Sequence, residues 1–379
     1  MMTSQAIQAL LDSAVARGVA PGLAAAVAHA DGRIGLYAAG GRGVSDPAPM
    51  APDDLFWIAS CTKAITSAAA LQLVERGVLD LDAPVGERLP GLATPQVLEG
   101  FGADGAPRLR PARTAITLRH LLTHTSGLAY DFFHADLGRY YAATGGSLME
   151  RAPTAPVLAF DPGAGWQYGI GIDAAGWLIE QATGQGLDAY LGQHITGPLG
   201  MTDTVFVATP DLEARAVGMH GRGPDGAFVA APAFPSSPLY YGGGGLRSTA
   251  PDYLKFLRAV MADDGAGVLG PKARTWLHAA DSARAAGVLE TAAPPLSHDY
   301  RPHPASPATH TLGFLRNEAD LPGLRRAGSL AWAGLANCYY WADPGSGVAG
   351  VLFAQFLPFA DPQMLETFEA FERAVYAEI

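Results

Sequence analysis

The stretch Gly22-Leu23-Ala24-Ala25-Ala26-Val27-Ala28-His29-Ala30-Asp31-Gly32-Arg33-Ile34-Gly35-Leu36-Tyr37-Ala38-Ala39 holds two apolar runs joined by Asp31-Gly32. Asp-Gly between such runs is a strong hairpin signal, because a tight primed turn needs positive φ and glycine adopts it without steric cost. Strands are therefore expected at 22–28 and 33–39. Upstream, residues 4–17 carry Ile7, Leu10, Leu11 and Val15 at helical spacing. The far end mirrors this. Residues 337–342 and 348–356 are aromatic and β-branched runs joined by Pro344-Gly345-Ser346-Gly347, and 361–379 places Leu365, Phe368, Phe371 and Val375 on one helical stripe. A strand-rich start and a strand-rich end, each with its helix, predict one antiparallel sheet built from both termini. The middle reads as a helical and loop-rich insert. The expected class is α+β. A sheet subdomain is drawn from 1–80 and 236–379, a mainly helical subdomain from 81–235, and the active site lies between them. Residues 281–310, rich in Ala, Pro and His without periodicity, read as a surface loop.

Bulk properties narrow the functions. The chain has 379 residues, of which 49% are hydrophobic and 16% charged, enough for a large packed interior divided between two subdomains. Its net charge of −11 repels phosphate and argues against a nucleic-acid partner. No window of about 18 apolar residues is available to span a bilayer, so no membrane partner is expected. The first twenty residues lack a basic region followed by an apolar block, so no signal peptide is expected and the compartment read from sequence is the cytoplasm. Cys61 and Cys338 are the only cysteines, too few for a disulfide framework and not at metal-type spacing.

Chemistry enters at Phe56-Trp57-Ile58-Ala59-Ser60-Cys61-Thr62-Lys63, which precedes an apolar helical run over 64–74. In a helix starting near Ser60, Ser60 and Lys63 are i and i+3 and share a face. Serine is a weak nucleophile unless a base adjoins it, and lysine can be that base only where its surroundings favour the neutral amine. Amide dipoles at a helix N-terminus favour the developing negative charge. The plain alternative makes Ser60 an N-cap and Lys63 a solvated first-turn residue. With three lysines and 15 serines in the chain, random placement would give about 0.1 such pairs, which weakens the plain reading. No Gly-x-Ser-x-Gly occurs, which argues against an α/β-hydrolase.

The tetrad Ser60-Cys61-Thr62-Lys63 resembles the Ser-x-x-Lys of class C β-lactamases, penicillin-binding proteins and family VIII carboxylesterases. The segments 77–85, 117–128 (with His124-Thr125-Ser126-Gly127-Leu128), Pro198-Leu199-Gly200-Met201 and 242–248 follow in the order of that superfamily, so the resemblance runs from about Pro21 to about Phe359. It implies a β-lactamase/transpeptidase-like fold: an antiparallel sheet flanked by helices, a helical subdomain, and the site between them. The superfamily's second element is a tyrosine, usually followed by x-Asn. Trp166-Gln167-Tyr168-Gly169-Ile170 is the matching place, just before a helix expected at 173–182 with Asp173 as N-cap. The resemblance makes Tyr168 a proton shuttle, whereas by composition alone it is equally a core residue. The asparagine is missing. The third element, Lys-Thr-Gly, is replaced by Trp332-Ala333-Gly334, which resembles the Trp-x-Gly of family VIII esterases and of acyltransferases of the lovastatin side-chain type. By that resemblance the backbone N–H groups of Ser60 and Leu335 form the oxyanion hole.

Other features carry less. His120 and His124 lie i, i+4, but a zincin's glutamate is absent between them, so they read as structural and no metal or cofactor is expected. The glycines 242–245 lack the Lys-Ser/Thr of a P-loop and are read as letting backbone approach the substrate. Trp57, Tyr240 and Tyr241, with Trp332, Ala333 and Gly334, are the candidate substrate-binding residues; the aromatics are equally plain core. The leading expectation is a serine carboxylesterase acting on a small-molecule acyl ester through acyl-Ser60, with Lys63 and Tyr168 moving protons and β-lactam hydrolysis at most a side activity. Two alternatives stand beside it. One is an acyltransferase to an alcohol or amine acceptor; the other is a non-catalytic binding protein on the same fold.

Overall fold

The computed structural model describes residues 4–145, 156–233, 240–282, 287–302 and 306–379. Both chain ends enter one antiparallel sheet of eight strands. Its strands are β1 (Gly22–Ala28), β2 (Ile34–Gly43), β3 (Asp46–Pro49), β4 (Ala308–His310), β5 (Leu315–Asn317), β6 (Leu330–Gly334), β7 (Cys338–Asp343) and β8 (Val348–Phe353), in the spatial order β4-β5-β6-β7-β8-β1-β2-β3. β1 pairs with β8 in the register Ala24↔Phe353 to Ala28↔Ala349, so the N-terminal hairpin is welded to the C-terminal one.

The 22–39 stretch forms its hairpin, with a looser connection than expected. Ala28 pairs with Ile34, and the His29 N–H donates to the Arg33 carbonyl, leaving Ala30-Asp31-Gly32 as a three-residue connector. Gly32 supplies the left-handed residue at φ +85°, the usual device of three-residue hairpins. β1 is buried along its whole length. Its apolar run is continuous rather than alternating because both faces of the sheet are covered.

The rings on β7 show how. Neighbouring residues of a strand point to opposite faces. Tyr340 meets Tyr253 of the helix Ala250–Met261 at 4.9 Å between ring centroids, whereas Tyr339 and Trp341 meet Phe368 of the C-terminal helix Pro362–Tyr376 at 5.0 and 5.7 Å. The N-terminal helix α1 (Gln5–Ala16), capped by the Ser4 hydroxyl, packs on β2 and on the C-terminal helix. The other side is held by α2 (Thr62–Glu75), buried on all sides from Thr62 to Leu73; a helix apolar all round is a core helix. Against α2 pack the helices Gly171–Thr183 and Pro271–His278.

Between α2 and Ala250 the chain forms short helices and two small sheets. The strand His220–Arg222 pairs in parallel with Phe356–Leu357, which ties the end of this segment to the C-terminal strands. The 287–302 part of the expected surface loop is not all surface. Leu289 and Tyr300 are buried, and the Tyr300 ring lies 4.9 Å from Phe359 and 6.3 Å from Trp332. Isolated apolar anchors in a segment without periodicity gave no sequence signal. Among the described residues no helix is long and apolar enough to cross a membrane.

One polar pair lies inside this core. Arg325 and Glu372 are both fully buried, with Nε–Oε1 at 2.8 Å and Nη2–Oε2 at 2.5 Å, and the guanidinium faces the Trp341 and Phe368 rings. Removing one partner of a buried pair strands the other charge. Glu372→Ala is therefore expected to lower the unfolding free energy by about 3–5 kcal/mol in chemical denaturation. The exposed pair Glu369–Arg373 is expected to give under about 0.5 kcal/mol for Glu369→Ala.

Candidate active site

The strand Phe56–Trp57 pairs with Arg247-Ser248, and the chain then turns through a single 3-10 turn, Ala59–Cys61, into α2. Ala59 is held at φ +44°. A left-handed alanine costs about 1–2 kcal/mol, and three local bonds hold it. The Thr62 hydroxyl donates to the Ala59 carbonyl (2.7 Å), the Cys61 N–H donates to Ile58 O (3.0 Å), and the Leu246 N–H donates to Thr62 Oγ1 (3.1 Å). Ser60 is thereby lifted to a half-buried position, while Lys63, one turn on, is 3% exposed.

Lys63 Nζ has three oxygen neighbours from three parts of the chain: Ser60 Oγ at 3.2 Å, Tyr130 OH at 3.1 Å and the Gly243 carbonyl at 2.6 Å. The expected shuttle, Tyr168, is also here, but Lys63 meets it through its ring face, 4.8 Å from the centroid. The Tyr168 hydroxyl instead accepts the indole N–H of Trp332 (3.3 Å). The site thus holds two tyrosines with ring centroids 5.3 Å apart. Tyr130 was not singled out from the sequence; its one signal was its place directly after the His124–Leu128 block.

Backbone pairing brings the tyrosines together. The N–H of Tyr130 donates to Tyr168 O (3.2 Å) and that of Ile170 to Leu128 O (3.0 Å), so 127–130 runs beside 168–170. Only glycine fits at 169, because a Cβ there would sit 1.7 Å from the Leu128 carbonyl. The short helix Leu118–Leu122 begins with a capping box between Thr117 and His120, which gives His120 a structural place. His124, at φ +58°, turns the chain so that its carbonyl accepts the Gln167 N–H (2.9 Å).

The other expected residues take varied places. A Cβ on Gly334 would lie 2.3 Å from Ile58 O, so the end of β6 abuts the Ser60 turn and Leu335 follows at once. Asn337, at φ +62°, fixes this hairpin: its amide donates to Phe356 O and Pro358 O, and its oxygen accepts from the Tyr339 hydroxyl. Trp332 spends its N–H on Tyr168, and Ala333, like Trp332, is buried. The Trp57 indole donates to Gly244 O (2.7 Å) and lines a separate cavity with Leu55, Met219, His220 and Arg247. Tyr240 stacks near Phe206, and the Tyr241 carbonyl accepts the N–H groups of Gly244 and Gly245. Among the described contacts none joins Trp57, Tyr240 or Tyr241 to Ser60 or Lys63. The glycines of 242–245 let backbone approach Lys63, Thr66 and Asp173, closer than any side chain would allow.

Burial shifts several of the site's other titratable groups. Burial, with the Asp173 carboxylate nearby, pushes the Tyr130 hydroxyl well above the usual phenol range. Burial, with His310 and Lys63 close by, holds His124 well below the usual imidazole range. Burial pushes His310 down to about 4, against the bond from its Nδ1 to Thr311 O. His124 and His310 meet edge to face at 5.0 Å, and His124 also meets Tyr168 at 4.9 Å. Among the described residues no cluster of three or more His, Cys, Asp or Glu side chains forms a metal site.

The Beta-lactamase family model matches residues 7–372. The chain belongs to this family. Monacolin J acid methylbutanoyltransferase of Aspergillus terreus is 36% identical over 360 residues, covering 87% of this chain and 84% of that protein. Lovastatin esterase of Penicillium rubens is 34% identical over 352 residues, covering 86% of each. A mutant of simvastatin synthase from Aspergillus terreus superposes with a TM-score of 0.87 at 34% identity, over 98% of this chain and 96% of that one. The fold is the β-lactamase/transpeptidase-like one that the motifs implied, and the similar proteins named are acyltransferases and an esterase.

A buried neutral imidazole has a consequence for stability. Its folded pKa lies below the unfolded value of about 6.5, so the unfolded chain binds the extra proton first as pH falls. Stability is full above that value and is lost between it and the folded value of about 4 for His310. His310→Asn keeps a donor for Thr311 O without titrating. Unfolding free energies measured across this window are expected to fall by about 2–4 kcal/mol less in the variant than in the parent.

Proposed function

We propose that this chain is a serine acyl-transferring enzyme that forms acyl-Ser60 and passes the acyl group to an alcohol acceptor, with hydrolysis as the competing outcome. The observation that carries the reading is Lys63 Nζ, 3.2 Å from Ser60 Oγ and 3.1 Å from Tyr130 OH. Neutral Lys63 takes the Ser60 proton as Oγ attacks the ester carbonyl carbon. The oxyanion is met by the N–H groups of Ser60 and Leu335. The proton moves through Lys63 and a tyrosine to the departing alkoxide, leaving acyl-Ser60. An acceptor hydroxyl then enters, gives its proton to Lys63 and attacks the acyl carbon, and Ser60 recovers its proton as the new ester leaves.

Two observations favour transfer over the plain carboxylesterase expected first. Relatives similar over more than four fifths of the chain include acyltransferases. The walls around Lys63 are also aromatic: Tyr130, Phe132, Phe133, Tyr168 and Trp332 form a contiguous set of ring contacts, which favours an apolar acceptor over water. Amine acceptors and a silent binding role remain the rivals to be tested. β-Lactam hydrolysis stays a side activity in this reading, because Trp332 stands where the superfamily's lysine would meet a carboxylate.

With p-nitrophenyl butyrate and an apolar alcohol, the expected products are the new ester in excess of butyrate, and a serine-directed fluorophosphonate should label Ser60. Ser60→Ala should abolish both. An adduct on another serine would overturn the mechanism, and butyrate alone at every alcohol concentration would return the reading to hydrolysis.

Tyr130→Phe and Tyr168→Phe separate the two phenols. Each is expected to lower kcat by about 10²–10⁴-fold if its oxygen carries the proton. If they form one relay, the double variant costs far less than the product of the singles. Near-parental turnover in either single variant removes that tyrosine from the relay.

A further inference from the structure

One buried acid beside this site has no part in the chemistry so far. Asp173 is 1% exposed and lies in the first turn of the helix Gly171–Thr183. It was expected as the N-cap, but that position falls to Ile170, which makes no side-chain cap bond. The helix starts two residues earlier than expected because Gly171 packs against Leu121, where a Cβ would lie 2.6 Å from its carbonyl. Asp173 therefore points off the helix, toward the glycine loop.

There, Oδ1 accepts the Gly243 N–H at 2.9 Å. Oδ2 has no hydrogen-bond donor among the described residues. A Cβ on Gly243 would lie 2.2 Å from Oδ2, so only glycine permits this approach. The carbonyl of the same residue accepts from Lys63 (2.6 Å), and that of Gly242 accepts from the Thr66 hydroxyl (2.8 Å). The loop is clamped between α2 on one side and Asp173 on the other.

We propose that Asp173 is the positioning residue of Lys63: it fixes Gly243 so that the carbonyl there orients the lysine amine, and its charge opposes loss of the proton from Tyr130. The inference rests on the reading of Lys63 as base. A carbonyl can only accept, so one Lys63 N–H is committed to Gly243 in either protonation state. The neutral amine then has one N–H for Tyr130 and its lone pair for the Ser60 proton. Freed from Gly243, the amine would rotate and the lone pair would lose its aim.

The charge argument has the same geometry. The groups facing Lys63 are Ser60 and Cys61 before α2, His124 and Tyr130 after the helix Leu118–Leu122, Tyr168, and Asp173. Cys61, His124 and Tyr130 are each held neutral by burial. Burial also pushes the Asp173 carboxyl up, against the pull of Lys63 and the Gly243 N–H. Asp173 is the one carboxyl group of the set.

Two variants of the full chain test this. Asp173→Asn keeps an oxygen for the Gly243 N–H and removes the charge; Asp173→Leu removes both. With p-nitrophenyl butyrate, Asp173→Asn should keep its KM while the acid limb of the kcat/KM profile moves to lower pH by about 0.5–1 unit, since a removed anion no longer opposes loss of the Tyr130 proton. Asp173→Leu should keep KM and lose about 10²-fold in kcat. If Asp173→Leu fails to fold, the limb of Asp173→Asn still decides. A limb in Asp173→Asn that coincides with the parent's overturns the proposal, whatever either variant does to thermal stability. Lys63→Ala run alongside separates the two failures. An inactive Lys63→Ala with an unmoved Asp173→Asn limb removes only the role of Asp173, whereas an active Lys63→Ala removes the base assignment and this inference with it.

Discussion

A lysine amine with almost no contact with solvent must find its partners inside the protein, and the partners Lys63 finds are the site. A polar amine left unpaired in the interior is costly, and each oxygen that meets it must come from a segment held firmly enough to stay. Here the oxygens come from the turn before α2, from the segment after the helix Leu118–Leu122, and from the glycine loop at 242–245. Much of the surrounding architecture serves that meeting. The sheet backs the turn through Gly334, the 127–130 segment is laid against 168–170, and the glycine loop is thin enough to enter between two helices.

The same crowding sets the character of the reaction space. The side chains near Lys63 are rings, and several of their polar atoms are partnered: the Trp332 N–H on Tyr168, the Tyr130 hydroxyl on Lys63, the His310 Nδ1 on Thr311. Ser60 is half-buried, with Lys63 behind it almost wholly out of solvent.

Local chemistry explains what could be read along the chain. The hairpin at 22–39, the paired strands near the C-terminus and the two terminal helices follow from periodicity and turn residues, and all formed, with differences of a few residues. The connector at Asp31-Gly32 came out one residue longer, because type and length of a turn depend on the register of the strands it joins. The pairing of Ser60 with Lys63 was legible for the same reason: a separation of three residues brings two side chains together over one turn, here the single 3-10 turn leading into α2. Where the reading leaned on a motif, it pointed to Tyr168, whose ring lies against Lys63, and passed over Tyr130, whose hydroxyl meets the lysine.

By itself, then, the sequence determined the sheet from both ends, the helix that follows Ser60, and the spacing of Ser60 and Lys63, since these rest on neighbours within a few residues. Which tyrosine oxygen meets the lysine, which carbonyl orients it, and where the acid of the helix Gly171–Thr183 points were decided only by the tertiary structure. Those contacts join residues 67, 180 and 70 positions apart. No local periodicity encodes such distances; they arise when packed helices and paired backbones leave one arrangement in which the buried polar groups are partnered.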